Sequence, residues 1–436
     1  ASSSFSPTSI LPFSSYICSM WEALTTAVAQ SEWWLYASIP VVSAIVGWGT
    51  NVLALKMTFY PLNFIGLKPF GWQGIIPAKA GVMAGKAVDL LTKNLISVED
   101  RFDQIEPERV AEELEPALNR LSLQVIDEVM AEEIPSLWEA APQPVKQRIY
   151  QRVSEDLPEV VEDVMQEVKN NITELLDLRG MVVKELEKDR DLLNQIFLRV
   201  GHSEFAFIER SGLYFGFLFG LIQMVLFFAA NELMGVDSEI ASWTLPIAGL
   251  FVGWATNTLA LRMIFEPLRP RQIGPWSVQG LFLRRQLEVA DEYSRMVSSQ
   301  ILTAQKIFET LIAGPASERL SGMMEAHVRR AVDHTAGPAK ALVQVAQGAR
   351  SYVRVKKAIG QRFVQELPFY IRHVFDYAEE ALDIENTIRS RMQALPAIDF
   401  VGFLRPVFQE DEWKLILVGA VLGFMAGFAQ MVYVFT

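Results

Sequence analysis

One stretch of the sequence occurs twice, and the other recurring features of the chain are arranged at nearly the same spacing. Residues 47–57 read GWGTNVLALKM, and residues 253–263 read GWATNTLALRM, at an offset of 206. A second pair, at 216–225 and 423–432, keeps Gly-Phe and Gln-Met-Val in the same order at an offset of 207. Similarity at a fixed spacing is typical of an internal repeat. The sequence therefore predicts a tandem duplication.

Four apolar segments are long enough to cross a membrane, since about 20 apolar residues in a helix span the ~30 Å hydrocarbon core. The predicted spans are 34–56, 211–230, 243–265 and 413–435. A hydrophobic content of 51% with a mean hydropathy of +0.21 fits spans joined to sizeable polar regions. We expect an all-α membrane protein with four transmembrane helices in two parallel repeats. Each repeat should carry a long cytosolic helical-bundle domain, at 57–210 and 266–412.

The basic residues set the expected orientation. Residues 1–33 and 231–242 contain no Lys or Arg, whereas basic residues directly follow the first and third spans. Positive residues near span ends remain on the cytoplasmic side. We therefore expect both termini and the 231–242 loop to face outward. The single cysteine, Cys18, would then lie outside, and one cysteine excludes a disulfide framework within the chain.

Several motifs recur in order at matched spacing. They are the Gly-Trp-x-Thr-Asn-x-Leu-Ala-Leu-Lys/Arg-Met run, the Pro-Leu after it, the GIIPAK stretch at 74–79 and the glycine-rich closing span with its Gln. Together they resemble the YheB/YjiN-like bacterial membrane proteins, over nearly the whole chain, twice. The resemblance implies residence in the bacterial inner membrane. Because the function of that family is unknown, it supplies no catalytic residues.

Small and amide side chains recur along one face of each span. Residues four apart share a helix face, and small residues with interhelical hydrogen bonds drive helix association in lipid. The predicted helix-packing residues of the first repeat are Ser43, Gly47, Asn51, Gly212, Gly216, Gly220 and Gln223. Those of the second repeat are Gly249, Gly253, Asn257, Gly419, Gly423, Gly427 and Gln430. The alternative is that the Asn and Gln residues line a pathway; the lack of ionisable residues at mid-membrane depth favours packing.

Basic residues outside the spans are candidates for binding lipid head groups or for docking. They are Lys68, Lys79, Arg284, Arg285, Arg354, Lys356 and Lys357. Because the first helical region is rich in acidic residues, the basic run around Arg354 has three interpretations. It is a solvated face, a surface for anionic lipid, or a surface that docks on the acidic region of the same chain or of a neighbour.

Long apolar stripes mark the helical regions. Apolar residues step by 4, 4, 3, 4 and 4 from Val110 to Val129, from Ile149 to Val168 and from Ile359 to Ala378. This eleven-residue pattern suits long helices that are nearly straight or coil gently. We therefore expect long antiparallel helical bundles in both regions.

The sequence predicts no enzyme active site, cofactor or metal site. The four histidines fit no metal-ligand spacing, and 51 acidic against 39 basic residues argue against a nucleic-acid-binding protein. We expect a non-enzymatic membrane protein, in contact with membrane lipid and an unidentified protein partner, whose helical domains assemble into a homo-oligomeric scaffold. One alternative is a protein that binds or transfers lipid or another hydrophobic molecule, since amphipathic helices shelter acyl chains. A third hypothesis is a channel lined by the Asn and Gln positions.

Overall fold

The structure, a computed structural model, describes residues 33–67, 71–230, 242–405 and 412–434. Cys18, Lys68 and nearly all of the predicted outward segments lie outside the described residues, so the expectations for them stay predictions. The described chain is almost entirely α-helical, which confirms the predicted fold class.

Long helices alternate with shorter ones along the chain. The first half contains α1 (Trp33–Phe59), α2 (Ile75–Ala78), α3 (Ala80–Asn94), α4 (Val98–Phe102), α5 (Pro107–Glu133), α6 (Pro135–Ala140), α7 (Gln143–Asn170), α8 (Ile172–Leu175), α9 (Leu178–Lys188), α10 (Arg190–Val200) and α11 (His202–Phe228). The second half contains α12 (Thr244–Phe265), β1 (Arg271–Ile273), β2 (Trp276–Val278), α13 (Leu281–Arg284), α14 (Gln286–Gln300), α15 (Ala304–Ala313), α16 (Ser317–Gln347), α17 (Ala349–Tyr370), a 3₁₀-helix (Ile371–Val374), α18 (Phe375–Leu382), α19 (Ile384–Ala394), α20 (Ala397–Leu404) and α21 (Glu412–Val434).

The chain divides into two compact units, and the first, which we call the span unit, is drawn from 1–78, 197–285 and 396–436. It holds α1, α11, α12 and α21, which are long and apolar enough to cross a membrane. Four spans were predicted, and four such helices are found among the described residues. The helix α11 begins at His202, ahead of the predicted span at 211–230. Charged residues before the apolar run do not end a helix, because their side chains extend away from the backbone hydrogen bonds.

Within the span unit, α1 packs on α11 and α12 packs on α21, and the two pairs contact each other. A small cluster of buried side chains joins α1, α11 and α12. Tyr36 and Ile39 of the first helix meet Phe227 of the second and Leu245 of the third. The four long helices therefore form one packed group.

A similar elbow follows α1 and α12. The chain turns at a cis Tyr60–Pro61 bond after the first helix and at a cis Glu266–Pro267 bond after the second. Ile65 then pairs with Trp72 in an isolated antiparallel bridge, and β1 pairs antiparallel with β2 at the corresponding positions. This short hairpin is the extended structure that the sequence patterns did not predict.

The second compact unit, which we call the bundle unit, comprises 79–196 and 286–395. At its centre α5 packs on α7 and α17, and α16 packs on the same two helices. The stripe of α5 is buried there, with Val110 3%, Leu118 2% and Leu121 0% exposed. Helices from both predicted regions, 57–210 and 266–412, belong to this unit. The apolar stripe of one region covers that of the other.

Candidate functional site

The small residues of α1 and α11 bring the two helix backbones into contact. A Cβ atom added to Gly220 would lie 2.6 Å from the Cα of Pro40 and 2.8 Å from the Cβ of Ser43. A Cβ added to Gly47 would lie 3.3 Å from the Cα of Gly216. Side chains have no room at such separations, so glycine is required for this approach.

Helices α12 and α21 approach each other in the same way. A Cβ added to Gly427 would lie 2.9 Å from the Cα of Pro246, and one added to Gly249 would lie 3.0 Å from the carbonyl carbon of Gly423. The glycines that meet the opposite backbone are Gly249, Gly253, Gly419, Gly423 and Gly427. Both helix pairs therefore use the predicted small residues within a single chain.

The two asparagines of the repeated motif make equivalent hydrogen bonds. Asn51 Nδ2 donates to the carbonyl oxygen of Ile208 at 2.6 Å, and Asn257 Nδ2 donates to that of Leu415 at 2.8 Å. Asn51 is 0% exposed, and its Oδ1 accepts no hydrogen bond from the residues that the structure describes. Each amide therefore joins its own helix to a backbone carbonyl of the helix paired with it, in α11 or in α21.

The two glutamines lie at the other end of the glycine faces and are also buried. Gln223 Oε1 accepts a hydrogen bond from Ser43 Oγ at 3.4 Å, and Gln430 Nε2 donates to Ser38 Oγ at 3.4 Å. Both bonds join two different helices. The amide positions are thus placed between helices, where they contribute interhelical hydrogen bonds.

Among the basic candidates near the spans, Arg285 forms a buried ion pair. Its Nη1 donates to both carboxylate oxygens of Glu204, at 2.9 and 3.0 Å, and the Glu204 side chain is 1% exposed. A buried carboxylate requires such a partner. Arg284 is exposed, and Lys79 is half-buried. Sequence analysis missed Glu204, because a charged residue ahead of an apolar run reads as a solvated one.

The basic candidates of α17 face different neighbours. Arg354 Nε lies 3.8 Å from Glu133 Oε2 of the acidic first region, and Lys356 pairs with Asp333 of α16. Lys357 is exposed. Surface ion pairs of this kind, whether exposed or half-buried, contribute little, about 1 kcal/mol or less each. The apolar stripes, not these pairs, hold the two regions together.

An apolar cavity of about 170 Å³ lies among α5, α7, α16 and α17. A second cavity, of about 90 Å³, lies further along the same helices. Several of the residues that line the larger cavity belong to the stripes that the sequence revealed, including Val125, Val153 and Ile359. Periodicity shows which face of a helix is apolar, but it does not show whether that face is filled by side chains. The cavities therefore could not be predicted.

A few polar groups line the larger cavity and are already paired. Thr335 Oγ1 donates to Asp156 Oδ2 at 2.8 Å, and His334 Nδ1 lies 3.2 Å from the same oxygen. Tyr352 donates its hydroxyl to Asp333 Oδ1 at 2.8 Å. Burial, followed by this hydrogen bond, raises the pKa of the Tyr352 phenol above its usual value, so the group stays neutral. The cavity therefore suits an uncharged, apolar occupant.

The described residues contain no cluster of His, Cys, Asp and Glu that could hold a metal ion.

Comparison with known proteins finds partial relatives. A stretch of 64 residues is 44% identical to a UPF0754 membrane protein of Shouchella clausii, covering 14% of this chain and 17% of that protein. A stretch of 137 residues is 28% identical to a UPF0754 membrane protein of Exiguobacterium sibiricum, covering 30% and 35%. A stretch of 87 residues is 26% identical to one from Staphylococcus aureus, covering 19% and 23%.

The matches thus span roughly a sixth to a third of the length of these curated relatives. No family model and no solved structure matches the chain. Four apolar helices and these relatives together identify a multi-pass membrane protein with distant, partial homology to the UPF0754 membrane protein family.

Proposed function

We propose that the chain is a non-enzymatic membrane protein that binds a lipid acyl chain in the apolar cavity of its bundle unit. The single observation that carries this proposal is the 170 Å³ cavity itself, lined almost wholly by aliphatic and aromatic side chains. For comparison, an engineered apolar cavity of about 150 Å³ in another protein stays dry and binds benzene. An apolar molecule is thus the expected occupant.

Energetics support occupancy. The cavity is partly open, so its apolar lining is accessible to water. A ligand that covers this lining gains about 25 cal/mol for each Å² of apolar surface removed from water.

The length of the cavity favours an acyl chain. Its lining on α7 runs from Ile149 to Val160, which corresponds to about 17 Å at about 1.5 Å per residue. One lipid chain fills half of the ~30 Å hydrocarbon core, or about 15 Å. The membrane around the four spans also supplies acyl chains close to the protein.

The oligomeric scaffold expected from the sequence stays a prediction. Three features suggested it: the glycine faces, the apolar stripes and the complementary charges. Each of them finds its counterpart inside one chain, as in the Gly47–Gly216 approach, the burial of Leu121 and the Arg354–Glu133 pair. None of them requires a second copy. The channel hypothesis is weakened likewise, because the four amides lie between packed helices.

Filling the cavity should abolish binding. Ala331 lines the larger cavity, and in Ala331→Phe the ring would occupy the space of the chain. Native mass spectrometry of the purified full-length protein, with extraction of bound lipid, should show about one bound acyl chain per protein in the wild type. The variant should retain under about a tenth of that amount, because each buried methylene contributes about 0.8 kcal/mol to binding. Delipidation should lower the Tm of the wild type and leave the Tm of Ala331→Phe unchanged.

The matched control is Ala326→Phe, since Ala326 is an exposed residue of the same helix. This variant should keep both the bound lipid and the wild-type Tm response. A second variant, Ala331→Leu, places a smaller side chain at the same position. Equal lipid retention in both variants and in the wild type would show that the retained lipid lies elsewhere, and the proposal would be wrong.

We also propose that the two repeats arose by duplication and enter a bacterial cytoplasmic membrane in the same sense, with the bundle unit in the cytosol. Support comes from matched positions: Ile65 pairs with Trp72 as Arg271 pairs with Val278, each 206 residues further on. The absence of basic residues from 1–33 supports the orientation.

Cysteine labelling tests the parallel sense of the two repeats and their orientation. In intact cells, a membrane-impermeant maleimide should label Cys18 in the wild type. In a Cys18→Ser background, exposed positions of both repeats, Glu139→Cys and Val353→Cys, should label only after the membrane is permeabilised. Labelling of one of these two in intact cells would show antiparallel repeats, and labelling of both with protection of Cys18 would reverse the orientation.

A further inference from the structure

A single layer of side chains separates the two cavities of the bundle. Four residues line both cavities, and they come from three helices: Leu157 and Val160 of α7, Val328 of α16 and Phe363 of α17. From the geometry of this layer we infer that Phe363 sets the length of the acyl chain that the protein accepts. This inference rests on the proposed acyl-chain binding and names its specificity-determining residue.

Neighbouring positions place the layer between the cavities. On α17, Ile359 lines only the larger cavity and Leu367 only the smaller, while Phe363 lies one turn from each and lines both. On α16, Val332 and Met324 divide in the same manner on either side of the shared position. The two cavities are thus successive segments of one path along the bundle axis.

Phe363 is the largest side chain of the layer, is half-buried, and lines both cavities. Removing the ring would therefore join the cavities, whereas trimming a side chain that lines only one cavity would only widen that cavity. Along α7 the joined path would run from Ile149 to Val168, about 29 Å instead of about 17 Å. A longer chain would then be buried over its full length.

Chain-length competition tests this directly. The full-length protein is given equimolar saturated fatty acids from lauric to behenic acid, and the bound species are read by native mass spectrometry. The wild type should favour palmitic acid. Phe363→Ala should raise the behenic-to-palmitic ratio at least about tenfold, since every additional buried methylene increases the binding constant several-fold. Phe363→Trp, which thickens the layer, should move the preference toward lauric acid.

Phe369→Ala is the matched control, because it removes the same kind of ring from an exposed residue of α17 that lines neither cavity. It should retain the palmitic preference. An unchanged chain-length profile in folded Phe363→Ala and Phe363→Trp, with palmitic acid bound by the wild type, would overturn the role of Phe363 and leave acyl binding standing. Failure of the wild type to bind any of the fatty acids would instead overturn the proposed function, and this inference with it.

Discussion

Replacing Gly216 by Leu should separate α1 from α11 and strongly destabilise the span unit. A Cβ at this position would lie 3.1 Å from the Cα of Ala44 and even closer to the carbonyl oxygen of Ser43. Backbone atoms cannot rotate away as a side chain does, so the helices themselves must move apart. Overpacking usually costs about 1–3 kcal/mol, and this site belongs at the upper end. In detergent, the Tm should fall by several degrees.

Gly49→Leu is the control for this change. Gly49 lies in α1, two residues after Gly47, but a Cβ there would meet nothing within 4 Å. The same added side chain should therefore leave the Tm within about a degree of wild type, because surface substitutions stay within about 0.5 kcal/mol. Equal Tm losses for the two variants would mean that the glycine faces do not determine the α1–α11 contact.

Arg285→Met should produce the second large effect, because it leaves the Glu204 carboxylate buried without its partner. Removing one member of a buried ion pair typically costs about 3–5 kcal/mol. Since the Arg285 side chain is 31% exposed, solvent screening places the expected loss near the lower limit, about 3 kcal/mol. Chemical denaturation of the full-length protein would measure it.

Two further variants interpret that loss. The double variant Arg285→Met with Glu204→Gln should recover much of the stability, since no uncompensated charge remains. Arg109→Met should cost less than about 1 kcal/mol, because Arg109 and Glu112 form an exposed pair, 52% and 65% accessible. If Arg285→Met is as mild as Arg109→Met, the pair has no structural role.

The sequence predicted the spans well because a membrane helix needs a long apolar run. The recurring motifs indicated the small and amide residues at which these helices pack. The helix α11 extends beyond the predicted span to His202, since hydropathy marks where a helix is apolar and not where its hydrogen bonding begins. The pairing of Arg285 with Glu204 joins residues 81 positions apart, and no local pattern encodes it.

The bundle shows the same limit of sequence patterns. The stripe that begins at Val110 correctly indicates a buried helix face, but an apolar face has no marker for its partner. The sequence therefore assigned the stripes to separate regions, and it did not reveal that α5 packs on α17 from the other half of the chain. The sequence pattern of an apolar stripe is also the same whether the stripe packs on a side chain such as Leu157 or on an acyl chain. Only the three-dimensional arrangement reveals the cavity.

The most direct test of acyl-chain binding is an experimental density map of the full-length protein, extracted from its native membrane into nanodiscs without added lipid. The account predicts an elongated density of about 15 Å among α5, α7, α16 and α17, in contact with Phe363 at one end. A closed bundle, in which Val153, Val332 and Ile359 touch one another and leave no room for a chain, would contradict it.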